Sequence, residues 1–323
     1  MSSLTISAPS DPNRPSFRWT GTLALPVAVE SAGLVLPDGD GFRVWINRPG
    51  ETLAAQFRAS RASGIREMAA VPVTVAAGSP CSSEFLLTGA DAAGSPVAVA
   101  VSTGGGVAWR QSIPSANPFR WPVPGCASRP LVVWQDEPGL VRSCEISAAR
   151  VHPLEPFAAG GPPLDIAIAG GSIWCVWSDS SGVLVAESGA KGVRRFTLSA
   201  AYSSEVAIGE SGSAVAVAWM EQETAFLASI APGAGPPPDH GTLDLGAARG
   251  GSLAFIPASV PLLAARSSVA TEGELFEPLS VLTAPGLAPV EIAGLIHSVA
   301  CNGSVVALLG SSRLYFLTAP GLP

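Results

Sequence analysis

The hexapeptide Leu-Thr-Ala-Pro-Gly-Leu occurs twice, at residues 282–287 and again at 317–322, one residue before the sequence ends. After the first copy the chain continues into residues 290–293, an apolar run that reads as a β-strand, whereas the second copy has no such successor. A final repeat without its last strand leaves an open sheet edge, whose unpaired backbone groups need a partner. The natural donor is the segment 4–7, Leu-Thr-Ile-Ser, because it alternates apolar and polar residues.

The hexapeptide belongs to a longer repeat, in which a polar residue opens an apolar strand and a Gly-containing turn leads to a second apolar strand. The second strands begin at Val97, Ile173, Val215, Pro261 and Val305. The first gap is about twice the others, and the apolar run 131–134 divides it. The period is therefore a little over forty residues, close to the ~40–50 residues of one four-stranded propeller blade.

In this period, in turns such as Asn302-Gly303 and in the missing last strand, the chain resembles the β-propeller superfamily. The resemblance covers essentially the whole chain. It implies an all-β fold, with one propeller domain over residues 1–323 and a ring closed by N- and C-terminal strands. Seven blades result if residues 17–60 form a further unit, and six if the weakly patterned stretch 58–77 lies outside the ring. WD-repeat and Asp-box signatures are absent, so the resemblance specifies an architecture rather than a family.

One position of the repeat carries polar side chains in successive units, and these residues are the candidate functional site. They are Glu84, Asp165, Glu205, Ser252 and Ser298, with His297 beside the last. If they open the innermost strands, they form a ring at the mouth of the central channel. Carboxylate oxygens there suit Ca²⁺, Mg²⁺ or a basic group of a partner. The alternative is that each side chain only satisfies backbone amides of a neighbouring blade.

The sequence contains no motif of a catalytic or cofactor site. A nucleophile elbow, a phosphate-binding glycine loop and a His or Cys metal spacing are all missing. The acidic run 37–41 resembles the start of a calcium loop, but Phe42 and Arg43 follow where further oxygen ligands are needed, so it predicts a hairpin turn. We therefore expect no catalytic residue, no cofactor and no metal.

Composition limits the partners and the compartment. The formal net charge is −7 and no basic stripe is present, which argues against nucleic-acid binding. No apolar run approaches the ~18–20 residues of a membrane span, and no signal peptide is recognisable. Five cysteines without a CxxC pair predict reduced thiols and a cytoplasmic location. The preference for Arg over Lys, with abundant Ala, Gly and Pro, favours a GC-rich bacterial genome.

These observations predict a non-catalytic cytoplasmic propeller that acts as a protein-interaction scaffold or as a subunit of a larger assembly. The alternative is a propeller that binds a carbohydrate or another small ligand, or hydrolyses it, at the acidic channel mouth around Glu84, Asp165, Glu205 and His297. The Pro-rich segment 231–240 is expected to project from one face, either as a docking element or as a spacer.

Overall fold

The structure is a computed structural model that describes residues 4–7, 13–115, 120–126, 129–162, 164–212, 214–235, 237, 240–246, 252–256, 258, 260–270 and 276–319. Over these ranges thirty β-strands form seven sheets. No helix in the described part of the chain is long and apolar enough to span a membrane.

Each of the seven sheets is one blade. Two strands precede the first complete blade: β1 (Thr5–Ile6) and β2 (Arg18–Ala24). Blade 1 contains β3 (Gly33–Asp38), β4 (Gly41–Asn47), β5 (Ala54–Ser60) and β6 (Gly64–Val71). Blade 2 contains β7 (Thr74–Pro80), β8 (Glu84–Ala90), β9 (Pro96–Ser102) and β10 (Val107–Ser112). Blade 3 contains β11 (Arg120–Cys126), β12 (Pro130–Glu137), β13 (Leu140–Ile146), β14 (Val151–Pro153) and β15 (Phe157–Ala158).

The second half of the chain repeats the pattern. Blade 4 contains β16 (Asp165–Ala169), β17 (Ser172–Asp179), β18 (Gly182–Gly189) and β19 (Gly192–Ser199). Blade 5 contains β20 (Val206–Ser211), β21 (Ala214–Glu221), β22 (Thr224–Ile230) and β23 (Gly241–Leu243). Blade 6 contains β24 (Ser252–Ile256), β25 (Leu262–Ala270), β26 (Phe276–Thr283) and β27 (Val290–Ala293). Blade 7 contains β28 (Ile296–Asn302), β29 (Val305–Gly310) and β30 (Arg313–Thr318).

Each blade is an antiparallel meander whose first strand contacts the first strands of neighbouring blades and lines a central channel. The described strands therefore form a seven-bladed β-propeller. We call the face where the innermost strands begin the top and the opposite face the bottom. The turns between second and third strands lie on the top face, and the turns between first and second strands lie on the bottom face. The stretch 58–77 contains β6 and β7, so the six-blade alternative is wrong.

The ring is closed by pairing the two chain ends, as the broken repeat predicts, but the donor differs from the predicted segment. Strand β2 pairs with β30 and becomes the outermost strand of blade 7. The predicted donor, residues 4–7, instead places β1 on the outer edge of β27, as a fifth strand of blade 6. Alternating polarity is equally good in both segments, and only the length of chain needed to reach each blade distinguishes them.

Glycines on innermost strands allow neighbouring blades to pack closely. A Cβ atom at Gly209 would lie 2.3 Å from the Cβ of Phe255 on the next innermost strand. A Cβ atom at Gly125 would lie 2.6 Å from Cδ1 of Ile168. Because real Cβ contacts are longer than this, a larger residue at either position would force two blades apart.

The acidic run 37–41 forms a hairpin turn, as expected. Asp38 pairs with Gly41, and Gly39 adopts a left-handed φ of 59°. The Asp38 carboxylate accepts a hydrogen bond at 2.8 Å from Nη2 of the fully buried Arg43, and the same nitrogen also donates to the Thr103 carbonyl of blade 2 at 2.7 Å. This carboxylate therefore stabilises the seam between blades 1 and 2.

Cys81 and Cys126 form a disulfide, with their Cα atoms 5.3 Å apart. Cys81 follows β7 and Cys126 ends β11, so the bond joins two adjacent innermost strands at the bottom of the channel. The expectation that all cysteines stay reduced is wrong for this pair, because ring closure brings together residues 45 positions apart. Burial raises the pKa of the Cys144 thiol to about 12 and that of the Cys301 thiol to about 11.

Candidate functional site

The central channel encloses about 660 Å³ and is lined by residues of all seven innermost strands. Its wall is largely apolar, and half-buried Val123, Phe255 and Val299 contribute to it. The charged residues among its described lining are Asp165, Glu205 and Glu210. The channel is therefore an apolar passage with carboxylates on blades 4 and 5.

Two of the predicted site residues bind backbone amides of the next blade. One Asp165 carboxylate oxygen accepts a hydrogen bond at 2.9 Å from the backbone N–H of Ile208 on β20, and the other accepts one at 3.0 Å from Ile166. The Ser298 hydroxyl accepts a hydrogen bond at 3.1 Å from the backbone N–H of Val35 on β3. At these two positions the polar side chain satisfies a backbone amide of the neighbouring blade, as the alternative interpretation predicts. The innermost strand has no further strand beside it to accept that hydrogen bond.

The other four predicted residues lie in different places. Glu205 directly precedes β20 and lines the top of the channel beside Asp165. Ser252 opens β24 and is exposed, and His297 on β28 lies 3.4 Å from the Ser311 hydroxyl. Glu84 opens β8, the second strand of blade 2, because the true innermost strand is β7. The predicted ring therefore does not include Glu84, and the placement of that residue on an innermost strand is corrected.

Glu210, which sequence reasoning missed, is the third channel carboxylate. It is the fifth residue of β20, near the bottom of the channel, and its side chain is open to the channel space. The surrounding strands exclude part of the bulk water, and this desolvation raises the pKa of Glu210 above its ordinary value. A Glu directly after the apolar run 206–209, and still within the strand, was the signal available in the sequence.

Other top-face acids hold the buried tryptophans of the second strands. The Trp134 indole donates to Asp136 at 3.1 Å, and the Trp219 indole donates to Glu221 at 2.8 Å. In both blades the same carboxylate also accepts a hydrogen bond from a serine that precedes the innermost strand, Ser115 or Ser199. A tryptophan followed two residues later by an acid therefore indicates a structural hydrogen-bond network. Through the serine, this network links the second strand to the segment that precedes the innermost strand.

The top face carries an arc of exposed apolar side chains. Leu164, Tyr202 and Leu295 are 48%, 65% and 49% exposed. Each lies in the connection that leads into the innermost strand of blade 4, 5 or 7, and Leu164 also borders the channel. We call these three residues the top-face apolar arc. All three lie in top-face connections, and none belongs to the described hydrophobic core clusters.

Acidic residues outnumber arginines at the top turns of the described blades. The acids are Glu30, Glu51, Asp91, Glu137, Asp165, Asp179, Glu205, Glu221 and Glu223. The arginines are Arg48, Arg142 and Arg313. Bottom turns place Arg61, Arg129, Arg150 and Lys191 on the opposite face, where Asp38, Asp40, Glu84 and Glu145 balance them. The negative net charge is thus concentrated on the face that carries the apolar arc.

The Pro-rich segment 231–240 connects β22 to β23, and residues 236, 238 and 239 within it lie outside the described part of the chain. Its described residues contact blade 4. The Ala234 carbonyl accepts a hydrogen bond at 2.9 Å from Arg194, and the His240 Nε2 atom lies 2.9 Å from the Leu198 carbonyl. The His240 ring also packs edge-on against Trp219 at 4.9 Å. These contacts are those of a packed connection rather than of a projecting arm.

Comparisons with known proteins support the fold. A chain in the crystal structure of a mitotic checkpoint complex superposes with a TM-score of 0.58 at 12% sequence identity, covering 99% of this chain and 98% of that one. The WD40 domain of Toxoplasma gondii coronin superposes with a TM-score of 0.60 at 9% identity, covering 98% and 89%. No family model and no curated protein sequence matches the chain. At such identities the similarity establishes the propeller architecture alone.

Proposed function

We propose that this chain is a non-catalytic propeller, one domain over residues 1–323, that binds a protein partner on the top face of its ring. The observation that supports this function is the top-face apolar arc of Leu164, Tyr202 and Leu295. Large apolar side chains grouped around one mouth of a ring are typical of interaction surfaces. Rigid strands hold the connections that carry them, which is how propellers present variable loops for docking.

The charge of the same face favours a partner segment that combines apolar residues with lysine or arginine. The acids around the arc, among them Glu30 and Glu205, give this face a negative potential that attracts such a segment and orients it. The same charge disfavours nucleic acid, whose phosphates are repelled. The structural neighbour in the mitotic checkpoint complex is part of a complex, which is consistent with a docking role.

The cytoplasmic location and bacterial origin favoured by composition stay predictions. The Cys81–Cys126 disulfide is a feature more typical of oxidising compartments. Redox-sensitive labelling of the two cysteines in intact cells would therefore establish the compartment together with the state of the bond.

Site-specific photocrosslinking tests the docking face. A photoreactive residue replaces Tyr202 on the top face or, as a matched control, Val193 on an outermost strand, where the native side chain is 38% exposed. We expect a discrete protein adduct in native lysate from position 202 and none from position 193. The captured partner, once identified and purified, should bind the variant Leu164→Ser, Tyr202→Ser, Leu295→Ser at least about tenfold more weakly than wild type.

The control for that affinity measurement is the variant Val107→Ser, Val193→Ser, which removes apolar side chains of 41% and 38% exposure from outer strands. Its affinity should stay within about twofold of wild type. Equal adducts from both labelled positions, or equal loss of affinity in both variants, would show that the partner does not use the top face.

A further inference from the structure

The central channel has the size of a small-molecule site, and it extends from Leu164 at the docking face to Glu210 near the bottom of the ring. Its volume of about 660 Å³ lies within the ~300–1,000 Å³ of typical ligand pockets. Pockets of this kind combine apolar walls with a few polar groups that orient the ligand. The channel follows this pattern, since its described lining has apolar side chains from every blade and only three ionisable carboxyl groups.

The charged groups of the channel all have the same sign. Asp165 and Glu205 lie at the top and Glu210 lies near the bottom, and no Lys, Arg or His belongs to the described lining. Backbone amides compensate Asp165 through two hydrogen bonds. Glu210 lies in a partly desolvated position, and its raised pKa shows that burial opposes its ionisation. A cationic ligand would offset that cost.

The wall of the same channel also carries an aromatic side chain, on the neighbouring innermost strand β24. Phe255 on β24 packs against Gly209, the residue that precedes Glu210, and the absence of a side chain at Gly209 allows this approach. Phe255 is half-buried and lines the channel. A carboxylate and an aromatic ring in the wall of one channel suit an amine with an apolar body, because the carboxylate accepts the hydrogen bonds of the ammonium group and the ring packs against the apolar part.

We propose that the channel binds a small apolar organic cation of the arylalkyl- or alkylamine class, with its ammonium group at Glu210 and its apolar body along Phe255 and Val299. The apolar wall and the uniform charge both select this class. An anion is repelled by the three carboxylates. The proposal does not depend on the docking function, since Glu210 lies inside the channel and away from the top-face apolar arc.

Isothermal titration calorimetry with three molecules of similar shape tests the ligand class. The probes are 2-phenylethylamine, 2-phenylethanol and phenylacetate at neutral pH. We expect the amine to bind at least about tenfold more tightly than the alcohol, because a charge-assisted hydrogen bond adds to the same apolar contact, and the acid not to bind. Equal affinity for amine and alcohol, or no binding of the amine at 10 mM of probe, would overturn the proposal.

Two variants locate the site. Glu210→Gln keeps the side-chain shape and should reduce the amine affinity to that of the alcohol, while Ala254→Trp should fill the channel and weaken the binding of both probes. The control Glu67→Gln removes an exposed carboxylate of the outermost strand β6 and should leave amine affinity unchanged. If Glu210→Gln and Glu67→Gln bind the amine as wild type does, the ammonium group is not at Glu210 and the assignment fails. Melting curves of each variant confirm that it is folded.

Discussion

Carboxylates of this propeller have two distinct roles that sequence position alone does not separate. Asp136 and Glu221 accept hydrogen bonds from buried indoles, and Asp38 pairs with the buried Arg43. Glu205 and Glu210 instead line the channel. The first group contributes to stability, because each member satisfies a donor that would otherwise lose its hydrogen bond to water on burial. The second group is available to a ligand.

Asp179 provides a test of the structural role through its pH dependence. Hydrogen bonds from the Ser181 side chain and backbone and from the Trp177 indole lower the pKa of Asp179. A lowered folded-state pKa means that the ionised form stabilises the fold above the unfolded pKa of about 3.9, and that this contribution is lost as pH falls through the folded value. Asp179→Asn should therefore melt at a lower temperature than wild type at pH 7, with the difference shrinking in strong acid.

Thermal melts of both proteins across the acidic range measure this effect. The control Ser180→Ala, at an exposed position of the same turn, should reproduce the wild-type curve. Identical melting temperatures of wild type and Asp179→Asn at neutral pH would show that the turn does not depend on the carboxylate.

Adjacent innermost strands are joined by few hydrogen bonds, so side-chain and covalent links determine how firmly the blades are held. Ser298 and Asp165 each bind an amide of the next innermost strand, and Phe255 packs against Gly209. Between blades 2 and 3 the link is covalent, through Cys81 and Cys126. Each of these contacts connects one blade to the next at the channel wall, beside the hydrophobic clusters that pack between adjacent blades.

Removal of the disulfide should destabilise the ring. Cys81→Ser opens a loop of 45 residues, and the chain-entropy estimate for such a loop is about 4 kcal/mol, with measured losses often smaller. We expect a lower free energy of unfolding in chemical denaturation of Cys81→Ser, and the same loss in wild type after reduction. Reductant should leave the variant unchanged. Wild-type stability that does not respond to reductant would contradict this role of the bond.

The whole ring depends on closure by β2, because a ring with one blade short of a strand has an exposed edge and an incomplete core. Deletion of residues 1–24 removes β2 and the side chains of Phe17 and Leu23, which pack in the core of blades 6, 7 and 1. At about 1.5–3 kcal/mol for each large apolar side chain, the loss is about 3–6 kcal/mol before the lost hydrogen bonds are counted.

Deletion of residues 1–7 is the matched comparison. It removes only β1 and the partly buried Leu4 and Ile6, so we expect a smaller decrease in the free energy of unfolding, with a single cooperative transition retained. Chemical denaturation of the two shortened proteins compares the losses. A longer deletion that is no less stable than the shorter one would exclude β2 as the closing strand.

Charge is distributed unevenly over the ring as a whole. Acidic residues such as Glu30, Glu205 and Glu223 lie on the top face, whereas Arg150 and Lys191 lie at bottom turns. A charged partner therefore meets two different surfaces, and the apolar arc lies on the negative one. Top and bottom turns alternate along a meander, so charged residues that are close in sequence can lie on opposite faces. The asymmetry of charge is therefore apparent only when the strand order is known.

The period of a little over forty residues, the strand polarity and the unfinished last repeat are local or repeated properties of the sequence, and from them the all-β propeller, its seven blades and its closure by both chain ends were predicted. Asp165 and Glu205 were also placed correctly beside the channel, because in blades 4 and 5 the repeat was read in the right register. Register failed in blade 2, where Glu84 opens a second strand. Alternation of apolar and polar residues indicates a strand, but it does not show whether that strand is the first, second, third or fourth of its blade.

Long-range packing decides the position of each strand within its blade, the strand with which it pairs and its contacts with other blades. Strand β2 pairs with β30 and closes the ring, whereas β1 pairs with β27, and the packing of blade 2 against blade 3 brings Cys81 to Cys126. The same packing leaves Glu210 facing an apolar channel although its neighbours in sequence are buried. The pairing of β2 with β30 joins residues about 300 positions apart in sequence, and so it exists only once the whole ring has formed.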